Sequence, residues 1–303
     1  MYERILVPLD GSELAEVALP YAEELAGRLG SEITLIHVYE SAESEYQQMH
    51  QAYVEKMVEV TKQGAERFLA KSKAKAVKVK SALLVGHPAE QIVDYADEQN
   101  AGLIIIATHG RSGITRWVLG SVAAKVVRAA KQPVALIRAE SVRRDASEKG
   151  TMDKVLVPLD GSKESEAVIP YVEELASKLD GEVVLLHVAA PAYPVYIMPA
   201  EPFQIPFSEQ EVELLRAKAK AYLEELGSAL KGKGIKTTSE VGFGGAAEEI
   251  IRVAEEIDAD LVAMSTHGRS GISRWAFGST ADKVLHAGDT PVLLVRASSD
   301  STD

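Results

Sequence analysis

Apolar residues in the first half of the chain gather into five short runs, at 5–7, 33–38, 77–84, 103–107 and 134–137, many of them β-branched. Such runs predict the strands of a parallel sheet covered on both faces, since a half-exposed strand would alternate apolar and polar positions throughout. Between the runs the spacing turns helical. Ser12 is placed to cap the first helix and Gly30 to end it. Pro20, about two turns inside, predicts a kink in that helix rather than a break, because proline deletes one backbone hydrogen bond. Strands and helices alternating in units of this size predict an α/β fold built on a doubly wound parallel sheet.

The pattern then occurs a second time. The strand and turn from Ile5 to Ser12 (ILVPLDGS) return from Val155 to Ser162 (VLVPLDGS), Pro20-Tyr21 returns as Pro170-Tyr171, and THGRSGITRW from Thr108 returns as THGRSGISRW from Thr266. A period near 150 residues is too long for a solenoid and marks a duplicated domain. The reading is therefore two tandem doubly wound parallel sheets of five strands each, with domains at 1–139 and 153–303. The charged stretch 140–152 suits a solvated linker. The copies differ most at 189–207, where five prolines form an insertion. The helix at 208–231 reads as amphipathic and solvated.

Each half's last apolar run, 134–137 and 292–295, belongs at a sheet edge, and a bare apolar edge invites strand pairing. The two edges are expected to meet antiparallel about a pseudo-two-fold axis, giving an intramolecular pseudo-dimer with Arg138 and Arg296 near its rim. Two such chains could associate further as a homodimer.

Composition narrows the function. A formal net charge of -12 argues against a surface built for nucleic acid or anionic membrane, though not against a local basic loop. No cysteine is present, so disulfide and thiolate-metal chemistry are excluded. No apolar run approaches the ~20 residues of a membrane helix, and no leader pattern opens the chain, so the expected location is cytoplasmic.

In doubly wound sheets ligands bind beyond the carboxyl ends of the strands, where strand order reverses. The segments past the first and fourth strands of each half are also those that repeat most faithfully. Past the fourth strand, Gly110 and Gly113 precede Gly120-Ser121, which opens a helix. Gly268, Gly271 and Gly278-Ser279 do the same in the second half. Glycine admits an anion close to the backbone, and free N–H groups at a helix N-terminus bind phosphate. Arg111, Arg116 and Lys125, with Arg269 in the second half, add positive charge, and the loop arginines read as phosphate contacts. His109 and His267 lack metal-ligand companions and are expected to make loop hydrogen bonds. His37 and His187 are expected to be satisfied at strand ends, and Trp117 and Trp275 to anchor the loops. The spacing is neither a Walker A loop nor a Rossmann G-x-G-x-x-G.

These residues resemble the universal stress protein family, each half resembling one whole domain. The nucleotide-binding branch of that family carries G-x2-G-x9-G-[ST] after the fourth strand. Gly110, Gly120 and Ser121 match it, as do Gly268, Gly278 and Ser279, while Ala107 and Ser265 stand in place of the first glycine. Both replacements are small and narrow the site without closing it. The resemblance implies a Rossmann-like fold of the adenine nucleotide alpha hydrolase kind, binding ATP or AMP with or without Mg. It further implies that Asp10 and Asp160, with Pro8, Leu9, Pro158 and Leu159, face the ribose or adenine. Backbone at Val38 and Val188 would contact adenine. Gly110, Gly120, Ser121 and Val122, and Gly268, Gly278, Ser279 and Thr280, would hold phosphates.

Three classes of function follow. The first is a nucleotide-binding regulator of stress responses that is not an enzyme, beyond weak ATP hydrolysis. The second is a slow ATPase or adenylating enzyme, against which the sequence shows no paired carboxylates and no nucleophile beside a base. The third is a ligand-free interaction module, against which both glycine loops stand.

Overall fold

The computed structural model describes residues 1–40, 44–69, 76–109, 119–138, 150–189, 196–197, 202–203, 208–268 and 278–297. In the first half, β1 (Arg4–Leu9), α1 (Glu13–Glu16), α2 (Leu19–Leu29), β2 (Glu32–Tyr39) and α3 (Ser44–Glu66) come first. They are followed by β3 (Lys78–Val85), α4 (Pro88–Glu98), β4 (Leu103–Ala107), α5 (Ser121–Ala129) and β5 (Val134–Ile137). The second half opens with β6 (Lys154–Leu159), α6 (Lys163–Glu166), α7 (Ile169–Leu179) and β7 (Glu182–Ala189). A short hairpin of β8 (Tyr196–Ile197) and β9 (Pro202–Phe203) lies within the proline-rich insertion. Then come α8 (Glu209–Gly232), β10 (Lys236–Phe243), α9 (Ala246–Glu256), β11 (Leu261–Ser265), α10 (Ser279–Ala287) and β12 (Val292–Val295).

The strands of both halves form one sheet of ten, in the order β10-β7-β6-β11-β12-β5-β4-β1-β2-β3. Within this sheet every pairing inside a half is parallel; only β5 and β12 pair antiparallel, Ala135 opposite Leu293 and Leu136 opposite Val292. The expected edge-to-edge joint is therefore present, and it turns two five-stranded sheets into one. Side chains alternate across it. Ile5, Val7, Leu35, Ala135 and Leu293 enter a cluster with α2, α3, α7 and α8, while Leu6, Ile104, Leu136 and Leu294 enter another with α4, α5, α9 and α10. Each cluster runs unbroken through both halves, so the halves share their cores.

The helix expected after Ser12 differs from the reading above. It divides into α1 and α2, with a turn at Val17 and Ala18, and Pro20 occupies the first turn of α2. A proline there loses nothing, because first-turn N–H groups have no intrahelical acceptor. Pro170 does the same in α7, so both prolines start helices rather than kink them. α8 matches its amphipathic reading: Ser208 caps it with Glu211 in a capping box, and Ala219, Leu223, Gly227 and Leu230 form its buried face.

Polar groups also cross between the halves. Glu24 on α2 is fully buried; it accepts from Arg28 at 2.6 Å and from the Thr151 backbone N–H and hydroxyl. Arg28 in turn donates to Asp153 at 2.8 Å and to the Leu179 carbonyl at the end of α7. The end of the stretch read as a solvated linker, from Gly150 to Met152, is thus packed against α2, with Met152 buried. The remainder of that stretch, 140–149, lies outside the described residues.

Candidate functional site

The strand order places β1 between β2 and β4, so the reversal falls between the carboxyl ends of β1 and β4, and likewise between β6 and β11. A cavity opens at each reversal, of about 560 Å³ in the first half and about 310 Å³ in the second. Both lie within the ~300–1,000 Å³ of small-molecule sites.

One wall of the first cavity comes from the end of β1, with Pro8, Leu9 and Asp10. The Asp10 carboxylate accepts from the Ser12 backbone N–H at 3.0 Å and from its hydroxyl at 2.6 Å. Ser12 itself accepts from Ala15 N–H and caps α1. The turn needs Gly11 between them, at φ 84°, where a side chain would be strained. Asp160, Gly161 (φ 81°) and Ser162 repeat the arrangement. Asp10 is thus both turn organiser and cavity wall.

The opposite wall is the start of the last helix. β4 ends at Ala107, the chain leaves through Thr108, and Gly120 returns to donate its N–H to the Thr108 carbonyl at 2.8 Å. A Cβ on Gly120 would stand 2.8 Å from that same oxygen, so the close return requires glycine. Gly278 closes onto Thr266 at 2.9 Å in the second half. Among the described residues no side chain caps α5 or α10, unlike α1 and α6. Their first-turn N–H groups, at Ser121 and Val122 and at Ser279 and Thr280, therefore open on the cavities with the positive end of the helix dipole behind them. In the second half, Gly268 lies directly against Asp160: a Cβ there would sit 2.2 Å from its carboxylate oxygen.

Val38 lines the first cavity and Val188 the second, together with Pro158, Leu159, Ala107 and Ser265 in their places. The Ser265 hydroxyl accepts from His267 N–H at 3.4 Å. His109 and His267 make the expected loop contacts, with Nδ1 3.0 Å from the Thr108 and Thr266 hydroxyls. Lys125 is on the exposed face of α5, away from the cavity lining, so it adds no local charge there. Gly110, Arg111, Gly113, Arg116 and Trp117, and Arg269, Gly271 and Trp275, lie outside the described residues. Among the described residues no group of three or more His, Asp or Glu side chains is arranged to hold a metal ion, and no helix is long and apolar enough to cross a membrane.

Sequence reasoning missed one cluster. His37 Nδ1 donates to the Leu9 carbonyl at 2.8 Å, and its Nε2 shares a hydrogen bond with His50 Nδ1 at 2.8 Å. Tyr39 stacks on His50, ring centres 4.9 Å apart and 16° from parallel. Tyr53, one turn on, donates to Glu16 at 3.1 Å. In the second half Tyr222 keeps the equivalent bond to Glu166 at 2.8 Å and its edge contact with His187. Three residues earlier, however, Ala219 replaces His50, and the strand ends in Ala189 rather than Tyr39. The two cavities share the end formed by the Gly-Ser helix start and differ at the other.

Comparison with known proteins agrees with this architecture. A profile of the universal stress protein family matches residues 1–138 and again 151–296. A universal stress protein of Mycobacterium tuberculosis (strain H37Rv) is 26% identical over 309 residues, covering 97% of this chain and 97% of its own. One from Methanocaldococcus jannaschii is 31% identical over 142 residues, 46% of this chain and 83% of its own. The crystal structure of a universal stress protein from Archaeoglobus fulgidus matches 98% of this chain and 100% of its own with a TM-score of 0.70 at 20% identity, which extends the shared fold across both halves. With both halves matched, the chain belongs to the universal stress protein family.

Proposed function

We propose that the protein is a nucleotide-responsive regulator whose two cavities each bind an adenine nucleotide, ATP or AMP. One observation carries the reading: in each half a first-strand aspartate faces an uncapped Gly-Ser helix N-terminus across a cavity of ligand size. In an acidic chain a phosphate is best met by backbone N–H groups, which bring donors and a helix dipole without needing basic side chains. The aspartates, kept away from the phosphates by charge repulsion, suit ribose hydroxyls. The apolar strand ends at Val38 and Val188 suit the base. Mg would enter on the phosphates rather than on a protein cluster.

Calorimetry with ATP and AMP is expected to give two sites per chain, of unequal affinity because their base ends differ. Each site held with nucleotide at 100 times its dissociation constant would stabilise the protein by ~2.7 kcal/mol. No heat and no thermal shift at millimolar ATP or AMP would overturn the reading. A second reading, slow hydrolysis, draws on the Thr108–His109 and Thr266–His267 contacts, each a hydroxyl against an imidazole at the phosphate end. Phosphate release abolished by His109→Ala together with His267→Ala, with binding retained, would favour it.

A further inference from the structure

The seam between the halves carries an arrangement that the sites alone do not require. Beyond β5, Arg138 crosses the seam and donates to the Leu285 carbonyl in the last turn of α10, with Asp289 3.7 Å from the guanidinium. Beyond β12, Arg296 crosses the other way and donates to the Arg128 carbonyl in the last turn of α5 at 2.8 Å. Each arginine thus holds the carboxyl end of the opposite half's last helix, the end where carbonyls lack intrahelical partners and the dipole is negative. These are the helices whose amino ends open on the cavities. Each spans nine residues, and roughly 10 Å of rigid rod, at ~1.5 Å per residue, separates the gripped carbonyl from the first-turn N–H groups.

The arginines are also tied to their own sites. Ile137, next to Arg138, accepts the Thr108 N–H at 2.8 Å, and Val295, next to Arg296, accepts the Thr266 N–H at 2.9 Å. Thr108 and Thr266 begin the loops that Gly120 and Gly278 close. A continuous route therefore runs from each loop through one peptide and one guanidinium to the helix serving the other cavity.

We propose that Arg138 and Arg296 are positioning residues acting crosswise, Arg138 setting the phosphate end of the second cavity and Arg296 that of the first. The proposal rests on the nucleotide reading above for its ligand. Two considerations separate it from simple stabilisation of the seam. The apolar pairing of β5 with β12 already joins the halves. The two arginines, moreover, reach the same element in opposite halves, one 13% exposed and the other on the surface.

The test uses full-length chains with one cavity blocked, by Gly268→Val to leave the first open or by Gly120→Val, whose side chain would collide with the Thr108 carbonyl, to leave the second. ATP binding is measured by calorimetry. With only the first cavity open, Arg296→Met is expected to weaken ATP on the order of threefold to tenfold, Arg138→Met should change it less than about twofold, and Arg296→Lys should recover part of the loss. With only the second open, the two arginines exchange roles. An equal effect of both variants on each cavity, an effect on each arginine's own half, or no effect would overturn the proposal. If neither parent binds ATP, the nucleotide reading fails, and ligand-free amide exchange decides the proposal. Arg296→Met should speed exchange at Ala124, whose bond to the Gly120 carbonyl closes the first turn of α5, and leave Asp282 in α10 unchanged. Faster exchange confined to the last turn of α5 would show a local cap and nothing more. Should a methionine variant lose cooperative unfolding, the lysine variant carries the same comparisons.

Discussion

Leu293→Ala probes whether the ten strands behave as one body. Leu293 sits on β12 opposite Ala135 of β5, is 2% exposed, and belongs to the cluster that runs beneath both halves. The substitution removes about three methylene-sized groups, worth roughly 2.4 kcal/mol at ~0.8 kcal/mol each. The opposing residue is already alanine, so little is at hand to refill the space. The remaining cavity brings the loss to about 3 kcal/mol, within the range of buried leucine truncations. With a urea dependence of roughly 3 kcal/mol/M, the midpoint should fall by about 1 M. The chain offers its own reporters, since its two tryptophans fall one in each half, Trp117 and Trp275. Trp275→Phe leaves fluorescence from the first half alone and Trp117→Phe from the second. A shared core requires both reporters to show the same lowered midpoint for Leu293→Ala, coincident with the loss of far-ultraviolet circular dichroism. A first-half reporter that keeps its midpoint while the second-half reporter shifts would refute the reasoning, because it would make the halves separate folding units.

Two other outcomes follow from single side chains. Burial pushes the Glu23 carboxyl, packed on α2 against Gly64 of α3, up to about 7, with Arg67 offsetting only part of the effect. Its folded pKa lies above its unfolded one, so the stability it contributes is full below about pH 4.5 and is lost as pH rises through about 7. Glu23→Gln should therefore flatten the stability profile over that window and raise stability at pH 8 by about 1–2 kcal/mol, after allowing for the group's partial exposure; urea curves of the two proteins that stay parallel from pH 5 to 8 would contradict this. Gly268→Ala should drive the Asp160 carboxylate off its bonds to Ser162, since the new Cβ would lie 2.2 Å from it. A loss of about 1–2 kcal/mol and at least a tenfold drop in second-cavity ATP affinity are expected, and unchanged calorimetry would show that the aspartate has room to spare.

Much of this architecture was legible because it rests on local rules applied twice. The strand runs, the Asp-Gly-Ser turns and the Gly-Ser helix starts each follow from backbone geometry that neighbouring residues dictate. The seam was legible for a related reason: an apolar last strand has to find a partner, and the duplicate supplies one. What escaped depends on tertiary context. A proline two turns into an apolar stretch obeys the same steric rule whether it kinks a helix or starts one, and only the packing of Val17 and Ala18 decides. Glu24 and Arg28 show nothing in the sequence beyond their spacing of four residues; contacts with Thr151 of the linker stretch and Leu179 of the second half make them a buried junction. His50 was invisible because its partner His37 lies on another element, and the intervening polar stretch carries no signal of how α3 returns over the strand ends.

The departure from symmetry bears most directly on why two copies share a chain. In a two-fold dimer of identical subunits, every substitution appears in both sites. Here the helix-start ends have stayed alike, Gly120-Ser121 against Gly278-Ser279, while the other ends have diverged: His37, Tyr39 and His50 line the first cavity, and the positions of Tyr39 and His50 are held in the second half by Ala189 and Ala219, which stand outside the lining of its cavity. Divergence confined to one end of a cavity changes what that end can accept and leaves the helix-start end as it was. A shared sheet and crossed arginines then place the two unequal cavities on opposite sides of one seam, where the helix serving each is anchored by the other half. A tandem chain is the arrangement that permits unequal sites to remain mechanically joined, because neither half can exchange its partner for a copy of itself.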